Sequence, residues 1–438
     1  MTGLGRRFAH LLGATGSSNL ADGVLQVGVP LLALTLTTSP LHLSVVAAAA
    51  GLPWLLLSLH VGVLVDRHDR TRLLGLATAA RVLVLVAATV TAATGALSLP
   101  VLVGLVLAFG VAEVVADSAA GALVPSVVPT DRLHAANSRL MGVQQVANAF
   151  LGGPLAGLLV ALGAGWLFGV PAALCAVTLL LVVRGLWGRV ERPPRPEPAA
   201  TADAATSADG TVRPDATGRA LGRRSVGAEI GEGLRFLLGH RVVRPLLLGA
   251  TVLNFASAGY FAVFPLYVVG PGSPVGLRAE LYGVLTAALA VGAVAGAVVS
   301  GWLGRRVRET SVVRACWGAQ ATLLVVPVVV PHVAALLAVA ALLGFTNMVG
   351  NVVTSSMRQR MVPRHLLGRV GGAGRLLGYG SIPLGALLGG VVGETFGLPA
   401  VLLGAAGLSL AAVVRVTVAV PQHLVTEADA AATRTNQA

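Results

Sequence analysis

The chain of 438 residues contains no lysine; every strongly basic side chain is arginine. A phosphate-binding loop of the form GxxxxGK followed by Ser or Thr needs that lysine, so an ATP-hydrolysing engine of this type is excluded and any driving force must come from elsewhere. "GGAGRLLG" likewise fails as a nucleotide loop, because nothing resembling a strand precedes it. Cysteine is nearly absent. Cys175 and Cys316 stand alone in separate apolar segments, with neither disulfide nor metal-ligand spacing, and buried packing is their expected role. No HExxH, Cys-His cluster or pair of catalytic carboxylates in a polar segment occurs. No enzymatic activity, metal or cofactor is therefore expected. Charge is scarce too: 11% of residues, against about 25% in soluble domains. With 55% of residues hydrophobic, a water-soluble fold is excluded.

What the chain has instead is apolar runs long enough to cross a bilayer as helices, near residues 9–37, 41–63, 73–96, 99–123, 138–162, 165–187, 244–270, 279–303, 311–331, 333–356, 370–393 and 397–420. Short alternating segments, the mark of a β-barrel, are not the pattern. The net charge of +13 follows topology rather than nucleic acid. With an inner N-terminus, the inner segments hold Arg6, Arg7, Arg67, Arg70, Arg72, Arg132, Arg305, Arg306, Arg308, Arg358, Arg360, Arg364 and Arg369, and the outer loops only Arg278. This asymmetry predicts a multi-pass membrane protein with both termini cytoplasmic.

The longest polar stretch divides the spans six and six. Residues 1–190 are expected to form one six-helix bundle and 242–420 a second, with 421–438 a cytoplasmic tail. Between them, 191–223 is rich in Pro, Ala, Asp and Thr and reads as a disordered linker. In 224–241, Val226, Ile230, Leu234, Leu237 and Leu238 fall at helical spacing, which predicts an amphipathic helix on the inner membrane surface. The halves also echo each other: "VPTDRLHAANSRLMG" answers "VPRHLLGRVGGAGRLLG", "GGPLAGLL" answers "SIPLGALLGG", and "GVLVDR" answers "GWLGRR". The shared offset points to a duplicated six-helix unit.

"GVLVDRHDRTR", between spans two and three, concentrates charge in an apolar setting. It resembles the GxxxDRxxR signature of the major facilitator superfamily, with Gly62, Asp66, Arg67 and Arg70 in its places and Asp69 where a glycine is usual. "SSNLADG", "ADSAAGALVPSVVP", "GEGLRFLLGHRVVRPLLL" and "RQRMVPRHLLGRV" extend the resemblance over nearly the whole chain, towards the branch with macrolide and siderophore exporters. Of the antiporter-type motif GxxxGPxxGG, Gly153, Pro154 and Gly157 match while Ala149 and Leu158 depart. The resemblance implies an all-α fold of twelve spans in two pseudo-symmetric bundles. It also implies a conformational latch, in which Asp66 sits at the inner end of span eleven, near Arg369 to Gly372, while Arg67 and Arg70 anchor the turn. Arg305 replaces the acid in the second half, so the latch should be one-sided.

Charges inside a hydrocarbon layer are costly and mark cavities, partners or pathways. Asp22 lies near the middle of span one. Glu113 is roughly 18 Å deep in span four, and Asp117 and Arg81 are each roughly 12 Å deep, at 1.5 Å of rise per residue. Equal depth suggests an Arg81–Asp117 ion pair. It leaves Asp22 and Glu113 without a basic partner, as candidates to carry a proton or attract a cationic substrate; the alternative for each is a protonated carboxyl bonded to backbone or to Asn19. The second half offers Asn254, Tyr260, Asn347, Asn351, Arg375 and Tyr379 as cavity-lining groups, or as helix-to-helix hydrogen bonds. Together these features predict a proton-coupled exporter of drugs or natural products that acts as a monomer among membrane lipids. An importer or uniporter of a small metabolite, and a non-transporting sensor or assembly partner, are the alternatives.

Overall fold

The computed structural model describes residues 5–129, 132–186, 231, 235–362 and 367–437. Among them it is built of helices: α1 (Gly5–Leu36), α2 (Pro40–Arg67), α3 (Arg70–Ala93), α4 (Leu99–Val127), α5 (Leu133–Gln145), a π-helical turn (Val146–Gly152), α6 (Gly153–Leu162) and α7 (Ala164–Gly185) in the first half. The second half holds α8 (Val243–Val269), α9 (Ala279–Arg306), α10 (Glu309–Leu323), α11 (Val326–Val329), α12 (Val333–Met361), α13 (Leu367–Phe396), α14 (Leu398–Ala419) and α15 (Gln422–Gln437). Eleven helical segments of the described residues are long and apolar enough to cross a membrane. α13, at 30 residues, is long enough too. Exposed Leu76, Leu83, Val298 and Val418 suit a surface that meets lipid rather than water.

Local chemistry sets the boundaries. Ser39 caps α2 with Pro40 behind it, and Asp69 caps α3, its Oδ1 accepting from the Arg72 N–H at 2.9 Å. α6 turns into α7 through Gly163 (φ 115°), and α13 into α14 through Gly397 (φ 84°), values that favour glycine.

Three features depart from the sequence reading. The span expected at 311–331 is broken after Leu323, because Pro327 has no N–H for the Leu323 carbonyl and its ring crowds that oxygen. The fifth span is wound as a π turn over Val146–Gly152, just ahead of Pro154, which withholds a donor from Phe150 in the same way. The tail is a helix, α15, docked through buried Val425 and a 2.5 Å hydrogen bond from Thr310 to Gln422. The expected linker lies outside the described residues, as does most of 224–241. In the latter, residues 231 and 235–239 are helical, with Leu237 buried and Leu238 exposed.

Because helix direction alternates, both chain ends lie at one face, called here the terminal face; the opposite one is the far face. Near the terminal face the apolar core is split. One cluster, from Phe8 to Leu186, is drawn from the first half, and another, from Leu237 to Val425, from the second. Towards the far face the cores merge. Leu31 of α1 packs into the second half's cluster, Leu266 of α8 into the first half's, and Ala48, Ala262 and Ala386 meet across the divide.

Two seams join the halves, α2 with α13 and α6 with α9. On the far side they are backbone-close: a Cβ on Gly283 would stand 2.2 Å from the Gly153 oxygen, one on Gly157 2.6 Å from the Glu280 oxygen, and one on Gly390 2.5 Å from Ser44. On the terminal side, Gly62 of α2, Gly142 of α5 and Gly301 and Gly304 of α9 meet nothing within 4 Å. The halves are closed at the far face.

Candidate functional site

Four ionisable side chains gather inside the first half: Asp22 on α1, Arg81 on α3, and Glu113 and Asp117 one turn apart on α4. Arg81 is fully buried. Its Nη1 donates to Ser18 Oγ at 2.7 Å, its Nη2 pairs with Asp22 Oδ1, and its guanidinium carbon lies 4.7 Å from the centre of the Phe109 ring. The Arg81–Asp117 pair expected from equal depth is therefore corrected to Arg81–Asp22. Depth along a helix says nothing about azimuth. Ser18 and Asp22, four residues apart, share the face of α1 that the long Arg81 side chain reaches, whereas Asp117 lines the smaller chamber. Burial demands that the guanidinium be matched, and Asp22 does this. Arg81 Nε is buried without a hydrogen-bond partner among the described residues, so one donor remains for a second acceptor.

The four groups stand between two cavities. The larger, about 500 Å³, is lined by Asp22 and Glu113 together with Gln26, Trp54, Phe109 and Asn148 of the first half. Phe261, Ile382 and Ala386 close it from the second half. The smaller, about 340 Å³, lies on the terminal side within the first half, where Asp117 joins Asn19, Asn137, Gln144 and several hydroxyl side chains. Ser18 lines this chamber while bonding Arg81, and Asp22 lines the other. The ion pair is the partition between them.

The π turn also shapes the larger cavity. It presses the Asn148 backbone onto α1, where a Cβ on Gly23 would meet the Asn148 oxygen at 2.2 Å and one on Gly152 the Gly23 Cα at 2.6 Å. Asn148 thereby reaches the cavity wall beside Asp22. Its signal in the sequence was the local run of Gly152, Gly153 and Pro154, of which Gly153 and Pro154 read as part of the antiporter-type motif.

Most polar groups expected on the second-half wall are elsewhere. Tyr260 is 1% exposed, stacked on Phe264 in the core, and is corrected to a packing residue. Asn254 faces Gly378 on α13, and exposed Asn351 donates to Asn347 at 3.0 Å within α12. None of these four lines either cavity, and the second-half wall is instead apolar. Asn19 does line one, the smaller, while donating to the Thr15 carbonyl at 2.9 Å. The side chains of Arg375 and Tyr379 lie outside those described, as do those of Asp66, Arg305 and Arg369, and with them the expected latch. Of the signature, Arg70 donates to the Ala122 carbonyl of α4 at 2.9 Å, tying the turn to a helix rather than to a carboxylate. Arg67 is exposed. Gly153, Pro154 and Gly157 line the α6–α9 seam.

A family profile described as Major Facilitator Superfamily matches residues 11–277, and one described as Transmembrane secretion effector matches 208–437. The chain is 30% identical to the multidrug efflux pump Tap of Mycobacterium tuberculosis over 413 residues, covering 91% of this chain and 88% of Tap. The chain belongs to the major facilitator superfamily. Solved structures agree on the fold of this superfamily member. A variant of the nucleoside transporter NupG superposes with a TM-score of 0.71 at 12% identity, covering 95% of this chain and all of NupG. A bacterial homologue of the iron transporter ferroportin, in an inward-facing state, gives 0.68 at 16% identity, covering 95% of this chain and all of that one. As a member of the superfamily the chain is a multi-pass membrane transporter of small molecules and not an enzyme.

Proposed function

We propose that the chain is a proton-driven exporter of bulky amphiphilic compounds, drugs or natural products, working by alternating access in a bacterial plasma membrane with both termini cytoplasmic. On this reading the terminal face is cytoplasmic, and the far-face closure makes the present conformation inward-facing. The observation that carries the proposal is the make-up of the larger cavity. Asp22 and Glu113 face a chamber walled mainly by aromatic and aliphatic groups from both halves, with Gln26 and Asn148 as neutral polar lining, a combination suited to an apolar ligand bearing a positive charge. The name of the Tap relatives, multidrug efflux pumps, supports export of such ligands.

A chemical cycle follows from the partition. One guanidinium cannot neutralise three acids within the membrane span, and each further anion left unpaired there would be costly. With Asp22 holding Arg81, Glu113 carries the proton. A cationic ligand entering the larger cavity replaces that proton, which leaves through Asp117 and the smaller chamber towards the cytoplasm. When the cavity opens outward, a proton re-enters, displaces the ligand and restores the starting state.

Inverted vesicles loaded by an imposed pH gradient test this with a fluorescent cationic dye. Uptake should collapse with an uncoupler, and Glu113→Gln should abolish gradient-driven uptake while the protein stays folded. Dye movement indifferent to the gradient, or full activity in Glu113→Gln, refutes the coupling.

A further inference from the structure

At the far end of the α2–α13 seam, a side chain that the transport cycle above does not use joins the two halves. Glu394, near the end of α13, accepts a hydrogen bond from Ser39 Oγ at 2.6 Å and another from the Leu41 N–H at 3.3 Å, both on the same carboxylate oxygen. Ser39 is the N-cap of α2, its hydroxyl oxygen accepting from the His42 N–H at 3.2 Å. Leu41 lies in the first turn, where backbone N–H groups have no partner within the helix. The carboxylate thus completes the cap of a helix in the opposite half, where the helix dipole also favours negative charge. Both hydrogen bonds of the Glu394 side chain cross from one half to the other.

The packing beneath makes the contact conditional on closure. One turn below Glu394, a Cβ on Gly390 would stand 2.5 Å from Ser44 and 3.0 Å from the Leu41 Cα, and one on Gly393 2.8 Å from Pro40. The carboxylate reaches the helix end only while the two backbones touch; a separation of a few ångströms breaks both bonds. The other seam offers no counterpart. Its acid, Glu280, sits in the first turn of its own helix, and closure there relies on Gly153, Gly157 and Gly283.

We propose that Glu394 is the outer latch of the transporter, a carboxylate of α13 that holds the extracellular side shut by capping α2 across the divide. The proposal rests on the alternating-access reading. It pairs with the resemblance-based latch at the other end of the same two helices, where α2 would offer Asp66 to the start of α13. Each helix then presents a carboxylate to the other's N-terminus, one contact for each closed face. Rocking exchanges them, because the seam cannot be shut at both ends while the cavity has access to one side. Glu394 acts as a positioning residue and touches neither proton nor ligand.

The test measures closure directly. Spin labels go on exposed outer-loop sites of opposite halves, Ala96→Cys and Arg278→Cys, in the full chain with Cys175 and Cys316 replaced by alanine and held in lipid nanodiscs. Electron–electron distance distributions are then recorded without substrate or gradient. Glu394→Ala should raise the long-distance, outward-open fraction by roughly fivefold to tenfold, the scale of a charge-assisted hydrogen bond. Glu394→Gln, equal in size, should raise it less, and Ser39→Ala should also raise it. A circular dichroism melt confirms that each variant is folded. Distributions for folded Glu394→Ala and Glu394→Gln that match the parent overturn the latch. A parent protein that shows no gradient-driven dye uptake, yet opens in Glu394→Ala, sinks the exporter reading and leaves the latch standing.

Discussion

Replacing Gly283 by alanine should unbalance the conformational cycle through steric contact alone. The added Cβ would stand 2.2 Å from the Gly153 carbonyl oxygen and 2.8 Å from Pro154 Cα. Ordinary van der Waals contact begins near 3.4 Å. The atoms on both sides belong to the backbone, so no rotamer relieves the overlap, and the far end of the α6–α9 seam must part by about 1 Å. Overpacking of this sort costs about 1–3 kcal/mol, which lowers the closed population roughly fivefold to a hundredfold. Gly407→Ala on α14, where nothing lies within 4 Å, supplies the control. The assay is the distance between labels on the outer loops of the two halves, read beside a thermal melt. Gly283→Ala should shift the distribution towards the open form while Gly407→Ala leaves it alone. If the two variants give the same distribution and the same melt, the far-face seam is not the backbone contact described, and the assignment of the closed face fails with it.

Two further outcomes follow from the capping and pairing already described. Arg81→Met leaves Asp22 without its cation and should destabilise the protein by about 3–5 kcal/mol, while the double variant Arg81→Met with Asp22→Asn should recover most of that loss; equal melting temperatures for the single and double variants would remove the pair from the argument. Asp69→Ala deletes the cap of α3 and should cost about 1 kcal/mol, whereas Asp69→Gly, which restores the residue usual in the signature, should cost only a few tenths; thermal melts of both variants decide it.

Much of the fold was legible because hydrocarbon imposes a length on a helix and tolerates few charges. The runs around α3, α4 and α14 were bounded to within a few residues by their apolar stretches alone. The π turn and the break at Pro327 were not legible, since hydropathy does not register where a backbone donor is missing. Asp22, Glu113, Arg81 and Asp117 stood out as ionisable groups in oil, yet their partners depended on which way each helix face turns. Counting residues gives depth and leaves rotation free, which is why Arg81 was matched to Asp117 and not to Asp22. The second-half wall was misjudged for a related reason. Asparagine and tyrosine were sought as polar lining, but Tyr260 is absorbed into aromatic stacking, and the wall is made by Phe261, Ile382 and Ala386, which carry no distinguishing chemistry in one dimension. The role of Glu394 was not legible, because nothing in the sequence connects it to Ser39, 355 positions away.

The four ionisable groups of the site all sit in the first half, and the second half contributes to the larger cavity only apolar surface. Inheritance can therefore act on the two functions separately. Exchanges at Phe261, Ile382 or Ala386 can widen, narrow or reshape the chamber, and so retune which compounds are accepted, without disturbing the arginine and its acids. On the exporter reading, a lineage under changing chemical attack explores new cargo through one repeat while the arginine and its acids in the other stay unchanged.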